Sequence, residues 1–394
     1  MIEIAASTAV VYQRIIIDIA MYFGLFVIVA MALNFQYGNA GVPNFGCAVS
    51  ASIGGYTVSA FITRIIYWVG TNAMIGMKPY ATDYDWNYNN QFNTYLMNDY
   101  IGEHALFGMS MFLLSIALGF LMGWIMGYVI SLPAIRLRAT YLIITLITMA
   151  DAAQILGRNV VWISGGTLGM WVPNVFQWYP GDRTIIMAVA TMAIGIICYF
   201  ILRTMLNSPY GRLMRGVREN DLTVQSVGKD VTAIRRNVLM FASGITAVVG
   251  VLIGYYYSYV IQSNFIRATW TYWPWLMLMI GGAGNNAGTF IGCALIIAMR
   301  RIIIVYKWAL ESFIWYPIVI FESQLLATLL LIVMIFRPNG LIPEKLLRIP
   351  GIDYKRLVQE EAKADWRVER IAPSERIGLL SRIRGGGKKK EEAE

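Results

Sequence analysis

Long apolar runs separated by short polar stretches make up most of this chain. Eight of these runs come close to or exceed the roughly 20 residues that a helix needs to cross a bilayer. They cover residues 15–33, 45–69, 105–131, 141–163, 184–202, 237–261, 289–305 and 318–336. A shorter run, 273–282, is expected to cross or to re-enter as a half-helix. The pattern predicts an all-α polytopic membrane protein with roughly eight to ten transmembrane helices and glycine-broken segments.

The charged stretch 203–236 interrupts this pattern between two apolar runs. Each of its charges would cost roughly 3 kcal/mol at the centre of a membrane helix, so the stretch is expected in water. Its basic excess places it on the cytoplasmic side. Pro209 predicts the start of one helix, and Gly228 predicts the end of a short second helix. That helix would suit the docking of a soluble partner, although a solvated connector also explains the charges.

Successive loops of a multi-pass protein lie on alternate sides of the membrane, so the position of the charged stretch predicts the side of every other loop. The acidic stretch 70–103 and the aromatic-rich stretch 164–183 are expected outside, whereas the basic stretch 132–140 is expected inside. The sequence thus predicts a membrane domain over residues 1–343 and a charged, partly disordered cytoplasmic tail over residues 344–394. The net charge of +9 follows from this topology in a multi-pass protein of the cell membrane, and nucleic acid is not an expected partner.

Two apolar segments are broken by similar glycine-containing sequences. Their glycines are Gly38, Gly41 and Gly46 in the first break and Gly281, Gly282 and Gly284 in the second. Unwound backbone inside a membrane is tolerated only where it lines a cavity, so the pair indicates a translocation pathway near the midplane. Tight packing of helices through small residues is the alternative explanation.

Ionisable side chains also occur within the predicted helices. Asp151, Gln154 and Arg158 share one face of the fourth predicted helix, with Asp151 about 15 Å deep. Because an ionisable residue in the membrane is a functional hypothesis by default, Asp151 is a candidate for the pathway of a zwitterionic substrate. Contact between helices is the alternative for Asp151, and snorkelling for Arg158. Asp18 raises the same question and lies one helical turn from Arg14, close enough for an ion pair.

Composition argues against catalysis by this chain. Since His104 is the only histidine, neither a histidine-based metal site nor a Ser-His-Asp triad is expected. The three cysteines, at 47, 198 and 293, are far apart in apolar runs. The GGGKKK sequence near the C-terminus lacks the spacing of a phosphate-binding loop. We therefore expect no metal, no cofactor and no enzyme activity, and any ATP must be hydrolysed by another chain.

Four stretches of sequence share features with one transporter family. The first is ALNFQYGNAGVPNFG at 32–46, and the second is LPAIRLRATYLIITL at 132–146 with ISGGTLGM at 163–170. The third is 211–244, which covers most of the charged stretch and the start of the next apolar run, and the fourth is MIGGAG at 279–284 with RPNGL at 337–341. Together they resemble permease subunits of branched-chain amino acid ABC importers, the LivM/LivH type. The resemblance runs from about the first predicted helix to Pro343 and leaves the tail out.

This resemblance implies a heteromeric importer. Its other components would be a second permease subunit, two cytoplasmic ATP-binding subunits and an extracytoplasmic substrate-binding protein. The present chain would be a transmembrane permease subunit for branched-chain or other apolar amino acids, with 203–236 as the cytoplasmic coupling loop. The residues that match the coupling motif of the family are Arg218, Glu219, Asn220, Asp221 and Gly228, where Asp221 stands in place of a glutamate.

Some positions depart from the family pattern. Ala139 and Thr140 stand where the family commonly has Gly-Asp, and Asp151 falls one position later than the usual glutamate. These departures leave the substrate open, because urea and short-amide importers use the same type of permease. A stand-alone secondary transporter or channel is a second hypothesis, which ion-driven uptake by the purified chain without ATP would support.

Overall fold

The computed structural model describes residues 2–73, 86–134, 137, 139–307, 318–337 and 340–344. All of them belong to one compact unit, Met1–Glu344. Apart from Glu344, the predicted tail lies outside the described residues. The predicted helical class is confirmed, because helices dominate the described chain and only one short pair of strands occurs in it.

The helices follow the apolar runs closely. They are α1 (Ile2–Leu33), α2 (Cys47–Thr57), α3 (Thr63–Trp68), α4 (Trp86–Glu103), α5 (Ala105–Ala134), α6 (Ala139–Asn159), α7 (Val161–Ser164), α8 (Arg183–Asn207), α9 (Pro209–Glu219), α10 (Asp221–Ser226), α11 (Val231–Tyr257), α12 (Trp273–Gly281), α13 (Asn286–Val305) and α14 (Ile318–Phe336). Strands β1 (Met170–Trp171) and β2 (Tyr259–Val260) pair antiparallel.

Within the described part of the chain, seven helices are long and apolar enough to cross a membrane. These candidate spans are Gln13–Gly38, Cys47–Thr71, Ala105–Pro133, Thr140–Asn159, Arg183–Asn207, Val231–Tyr257 and Asn286–Val305. Two further apolar helices are α12, with 9 residues, and α14, with 19 residues. The prediction of a polytopic membrane protein is thereby confirmed, and α12 is a half-length helix as its run of ten apolar positions indicated.

Helix α11 lies at the centre of the bundle. In the most apolar 18-residue segment of α11, 94% of the residues are buried, whereas in the corresponding segment of α5 only 22% are buried. Close packing explains this position, because glycines let its neighbours approach its backbone. A Cβ atom at Gly123 of α5 would lie 2.8 Å from the carbonyl oxygen of Ser243, and one at Gly250 would lie 2.8 Å from the backbone nitrogen of Gly55 in α2. The small residues of α2 therefore serve helix packing.

Helices α1 and α11 run antiparallel and define the two ends of the bundle. Tyr256 donates a hydrogen bond to Asp18 over 3.0 Å near one end. Seventeen positions further along α1, the ring of Phe35 packs 5.8 Å from that of Phe241. We call the end where α9 and α10 lie the loop end and the end at Asp18 the opposite end.

Helix α4 differs from the prediction of a polar loop over 70–103. One of its faces buries Asn90, Asn93, Thr94 and the apolar Met97 and Ile101. Hydrophobicity alone misses this face because three of these five residues are polar. Asn90 accepts a hydrogen bond from the backbone of Trp171 over 2.6 Å, so the polar side chains hold the strand-containing segment. Residues 74–85 of the predicted loop lie outside the described part.

Candidate functional site

The charged stretch 203–236, called the charged loop below, contains helices α9 and α10, which are joined at Asn220 and lie between the end of α8 and the start of α11. The side chain of Asn220 accepts hydrogen bonds from the backbone of Leu222, over 3.0 Å, and of Thr223, over 3.2 Å, so it caps α10. The short helix predicted from Glu219 onward therefore begins at Asp221, while Glu219 ends α9. Gly228, with φ of 76°, follows α10 in the left-handed conformation that favours glycine, as its predicted role in ending a helix requires.

One side of the loop is anchored to the bundle. Helix α9 buries Gly211, Met214 and Val217. Asp221 at the start of α10 forms a 2.5 Å ion pair with Arg235 of α11. The loop therefore contacts the central helix through a charged pair.

The other side of the loop is open. The apolar side chains of Leu222 and Val227 are 75% and 72% exposed, and Glu219 is 71% exposed. A cavity of about 320 Å³ between the loop and Gly41 adds concave surface here. Exposed apolar side chains beside charged ones are typical of a protein interaction surface.

Arg218 joins the loop to two other segments. Its guanidinium donates a hydrogen bond to the carbonyl oxygen of Gly38 at the first break, and it pairs with Glu344 over 2.8 Å and with Glu219 over 2.9 Å. Burial lowers the pKa of Arg218, but hydrogen bonds and attraction from Glu344 and Glu219 outweigh burial and raise it. The side chain is therefore held as a charged link. Gly41, with φ of 70°, packs against it.

The two glycine breaks contact each other, which the sequence did not reveal. Asn34, fully buried, accepts a hydrogen bond from the backbone of Gly284 over 2.8 Å and donates one to Asn286 over 2.8 Å. A Cβ atom at Gly38 would lie 3.1 Å from the Cα atom of Gly284. The buried amide thus fastens the first break to the second, and these glycines are required by close approach of backbone segments.

The end of α12 is further fixed by the segment 340–344. Leu341 and Ile342 donate backbone hydrogen bonds to Ile280 and Gly281 over 2.9 and 3.0 Å. Gly282, with φ of 113°, leaves the helix beside Gly340. Since Glu344 of the same segment pairs with Arg218, the second break is tied to the charged loop as well.

Gly38 and Gly284 are at the loop end, beside Arg218 and Glu344. Helix α1 continues into a π-helical turn at Asn34–Gly38. Gly46 packs against Leu146 of α6, and Gly281 is buried against Gly288 of α13. The predicted role of these glycines in a translocation pathway remains a prediction.

Asp151 lies apart from this cluster. It forms a 2.6 Å ion pair with Arg267, and its side chain is 45% exposed. Gln154, on the same face, donates to the backbone of Gln262 over 3.4 Å. These contacts link α6 to the segment before α12, so the helix-contact explanation accounts for them, while the predicted role of Asp151 in a pathway remains a prediction.

One charged residue of this arrangement, Glu344, was missed, as was the ion-pair partner of Asp18. Glu344 follows the RPNGL motif at a spacing that carries no signal of its own. Asp18 was expected near Arg14, yet its ion-pair partner is Arg301 of α13. The only sequence signal for such a pair was the presence of unexplained charges within apolar runs.

The described residues show no grouping of three or more histidine, cysteine or acidic side chains that could hold a metal ion. Cys47, Cys198 and Cys293 are each buried and free. The arrangement offers ion pairs between separate segments, broken helices in contact and exposed apolar side chains beside charged ones.

Within the described residues, seven candidate membrane spans, two broken segments in contact and a charged loop tied to both define a polytopic membrane protein. The family described as branched-chain amino acid transport system, permease component, matches residues 15–336, and this chain belongs to it.

Curated relatives agree with that assignment. The chain is 30% identical over 343 residues to a probable branched-chain amino acid transport permease protein LivM of Methanocaldococcus jannaschii, an alignment that covers 86% of this chain and 96% of the relative. It is 22% identical to the high-affinity LivM permease protein of Salmonella typhimurium and 20% identical to that of Escherichia coli, covering 87% of this chain and 73% of each relative. No solved structure matches the chain.

The chain is thus a transport permease of an ABC transport system rather than an enzyme, and a multi-pass integral protein of the cell membrane. The predicted family, class of function and location are confirmed.

Proposed function

We propose that this chain is the transmembrane subunit of an ATP-driven importer for branched-chain or other apolar amino acids. The names of its relatives support this substrate class, since each is described as a branched-chain amino acid permease. Its partners would be a second permease subunit, two cytoplasmic ATP-binding subunits and an extracytoplasmic substrate-binding protein. The loop end then faces the cytoplasm, in keeping with the basic excess of 203–236.

The observation that carries the proposal is the double attachment of the charged loop. Arg218 contacts Gly38 in the first break and Glu344 beside the second, while Asp221 pairs with Arg235 of the central helix. An ATP-binding subunit seated on the exposed Leu222 would therefore pull on three parts of the bundle at once. A merely solvated connector would not need these links.

Transport follows from this connection. Nucleotide binding closes the two ATP-binding subunits, and α10 moves with them. Through Arg218 the movement reaches the contact between Gly38 and Gly284, where neither glycine leaves room for a side chain. Because backbone packed this closely has few intermediate arrangements, the two breaks shift together and switch access between sides. Asp151 and Gly46 would lie along the route that opens.

The coupling role is tested with Arg218→Gln in the reconstituted complex, measuring ATP hydrolysis and leucine uptake in the same vesicles. We expect the subunits to assemble while uptake per ATP hydrolysed falls about tenfold or more, because hydrogen bonds from a charged group are lost. Arg212→Gln is the matched control, since Arg212 is an exposed arginine on the same helix. Equal uptake per ATP in both variants would refute the coupling assignment.

The substrate class is tested by uptake into vesicles containing the wild-type complex. Leucine, isoleucine and valine are expected to accumulate with ATP, and urea and short amides are not. Accumulation of urea alone would reassign the substrate and keep the architecture.

A further inference from the structure

A cavity of about 240 Å³ opens at the opposite end, between α1, α13 and the segment that precedes α12. A cavity of this size fits a small solute rather than a peptide. One part of its wall is charged and another is apolar. The charged groups are Asp18, Arg300 and Arg301.

The charged wall combines one carboxylate with two guanidinium groups. Arg301 and Asp18 form an ion pair whose side chains are 19% and 30% exposed. The guanidinium of Arg300 lies 4.6 Å from the ring centre of Trp273. These groups sit within candidate spans Gln13–Gly38 and Asn286–Val305, where charge is costly. Arg300, the neighbouring residue on α13, lines the same cavity.

The apolar wall lies next to these charges. Phe26 and Trp270 are stacked with their ring centres 5.5 Å apart, and Ile297 is 4% exposed. Tyr22 presents its ring close to the guanidinium of Arg301, 5.9 Å from the ring centre. Thr269 adds a hydroxyl group to the lining. Serine and asparagine side chains, Ser263 and Asn264, also line the cavity. A concave surface that places polar and charged groups beside an aromatic and aliphatic wall suits a small molecule with both kinds of group.

We infer that this cavity binds the transported amino acid in its zwitterionic form, an assignment that rests on the proposed function. The α-carboxylate would bind Arg300 and Arg301, since guanidinium groups match the geometry of a carboxylate. The α-ammonium group would bind Asp18 and the face of Tyr22. The side chain of the substrate would lie against Phe26, Trp270 and Ile297. Because Asp18 would bind both Arg301 and the α-ammonium group, the ion pair would itself contribute to binding of the substrate.

Removal of one charge tests the carboxylate site. In the complete complex, Arg300→Gln should weaken leucine binding about tenfold or more, measured with radiolabelled leucine without ATP and without binding protein. Arg158→Gln, at the same end and outside the cavity, should leave binding unchanged. In wild type, 4-methylpentanoate and 3-methylbutylamine, each lacking one charged group of leucine, should compete about tenfold or more weakly than leucine.

A change of specificity separates recognition from folding. Ile297→Phe fills part of the apolar wall, so uptake of leucine should fall about tenfold relative to alanine within the same preparation. A general loss of folded protein would lower both rates equally and leave their ratio unchanged.

The outcomes are distinguishable from failure of the proposed function. If wild-type complex shows no ATP-dependent uptake of any amino acid, the proposed function fails and the cavity assignment with it. If wild type imports leucine while Arg300→Gln binds it normally and Ile297→Phe keeps the wild-type leucine-to-alanine ratio, only the cavity assignment is overturned.

Discussion

The two ends of the bundle use the same chemical pair for different purposes. At the loop end Arg218 meets Glu344, and at the opposite end Arg301 meets Asp18. Arg218 also donates to the carbonyl oxygen of Gly38 and reaches the exposed Glu219, so its bonds join a surface loop to broken backbone. Arg301 instead lies between two long helices.

This difference shows that the surroundings of an ion pair decide its role. A link whose partners lie on a surface loop and a chain segment can be displaced by a docked protein. The Arg301–Asp18 pair is instead held between α1 and α13, and both of its side chains line a cavity. The comparison predicts that the pair at the opposite end matters more for stability and the pair at the loop end more for coupling.

The largest effect on stability is expected from Asp18→Asn. Removing the carboxylate leaves Arg301 without its charged partner in a mostly buried setting, so the free energy of unfolding should fall by about 3 kcal/mol. Thermal unfolding of the purified protein in detergent measures this change. The double variant Asp18→Asn with Arg301→Gln should recover part of the loss, and no recovery would indicate that the two residues do not act as a pair.

A smaller effect is expected from Glu344→Gln at the loop end. Arg218 keeps a second charged partner in Glu219, and the amide still accepts a hydrogen bond from Arg218, so the loss of stability should be about 1 kcal/mol or less. Uptake per ATP hydrolysed should nevertheless fall severalfold. A loss of stability as large as that of Asp18→Asn, with normal coupling, would reverse the comparison.

The smallest effect on stability is expected from Leu222→Ser. Leu222 is 75% exposed, so unfolding should change by no more than about 0.5 kcal/mol. Capture of the ATP-binding subunit on the purified permease should weaken if this surface docks it. Thr223→Ser provides a conservative control on the same helix, and equal capture by both variants would place the docking surface elsewhere.

Sequence patterns predicted features that depend on local composition. The seven candidate spans and the half-length α12 follow from runs of apolar residues, because the bilayer length sets how many residues must be apolar. The start of α9 at Pro209 and the stop at Gly228 follow from backbone preferences of those two residues.

Hydropathy patterns gave wrong predictions where a polar residue is buried and hydrogen-bonded to a residue distant in the sequence. Asparagines made α4 look like a loop, yet Asn90 is buried because it accepts a hydrogen bond from Trp171. Similarly, Asn34 directly follows the first apolar run, 15–33, yet it is buried in a continuing π-helical turn and accepts a hydrogen bond from Gly284. Hydropathy cannot distinguish a satisfied polar group from an exposed one.

By itself the sequence determined that the chain is a polytopic membrane protein with a charged loop between two spans, because the cost of placing polar and charged groups in hydrocarbon depends on composition alone. The resemblance of its motifs indicated the permease family. Only the tertiary structure decided that Gly38 meets Gly284, that Arg218 reaches Glu344 and that Asp18 pairs with Arg301. Those partners lie more than a hundred positions apart, and no local preference encodes such contacts. They arise from how the helices pack around α11.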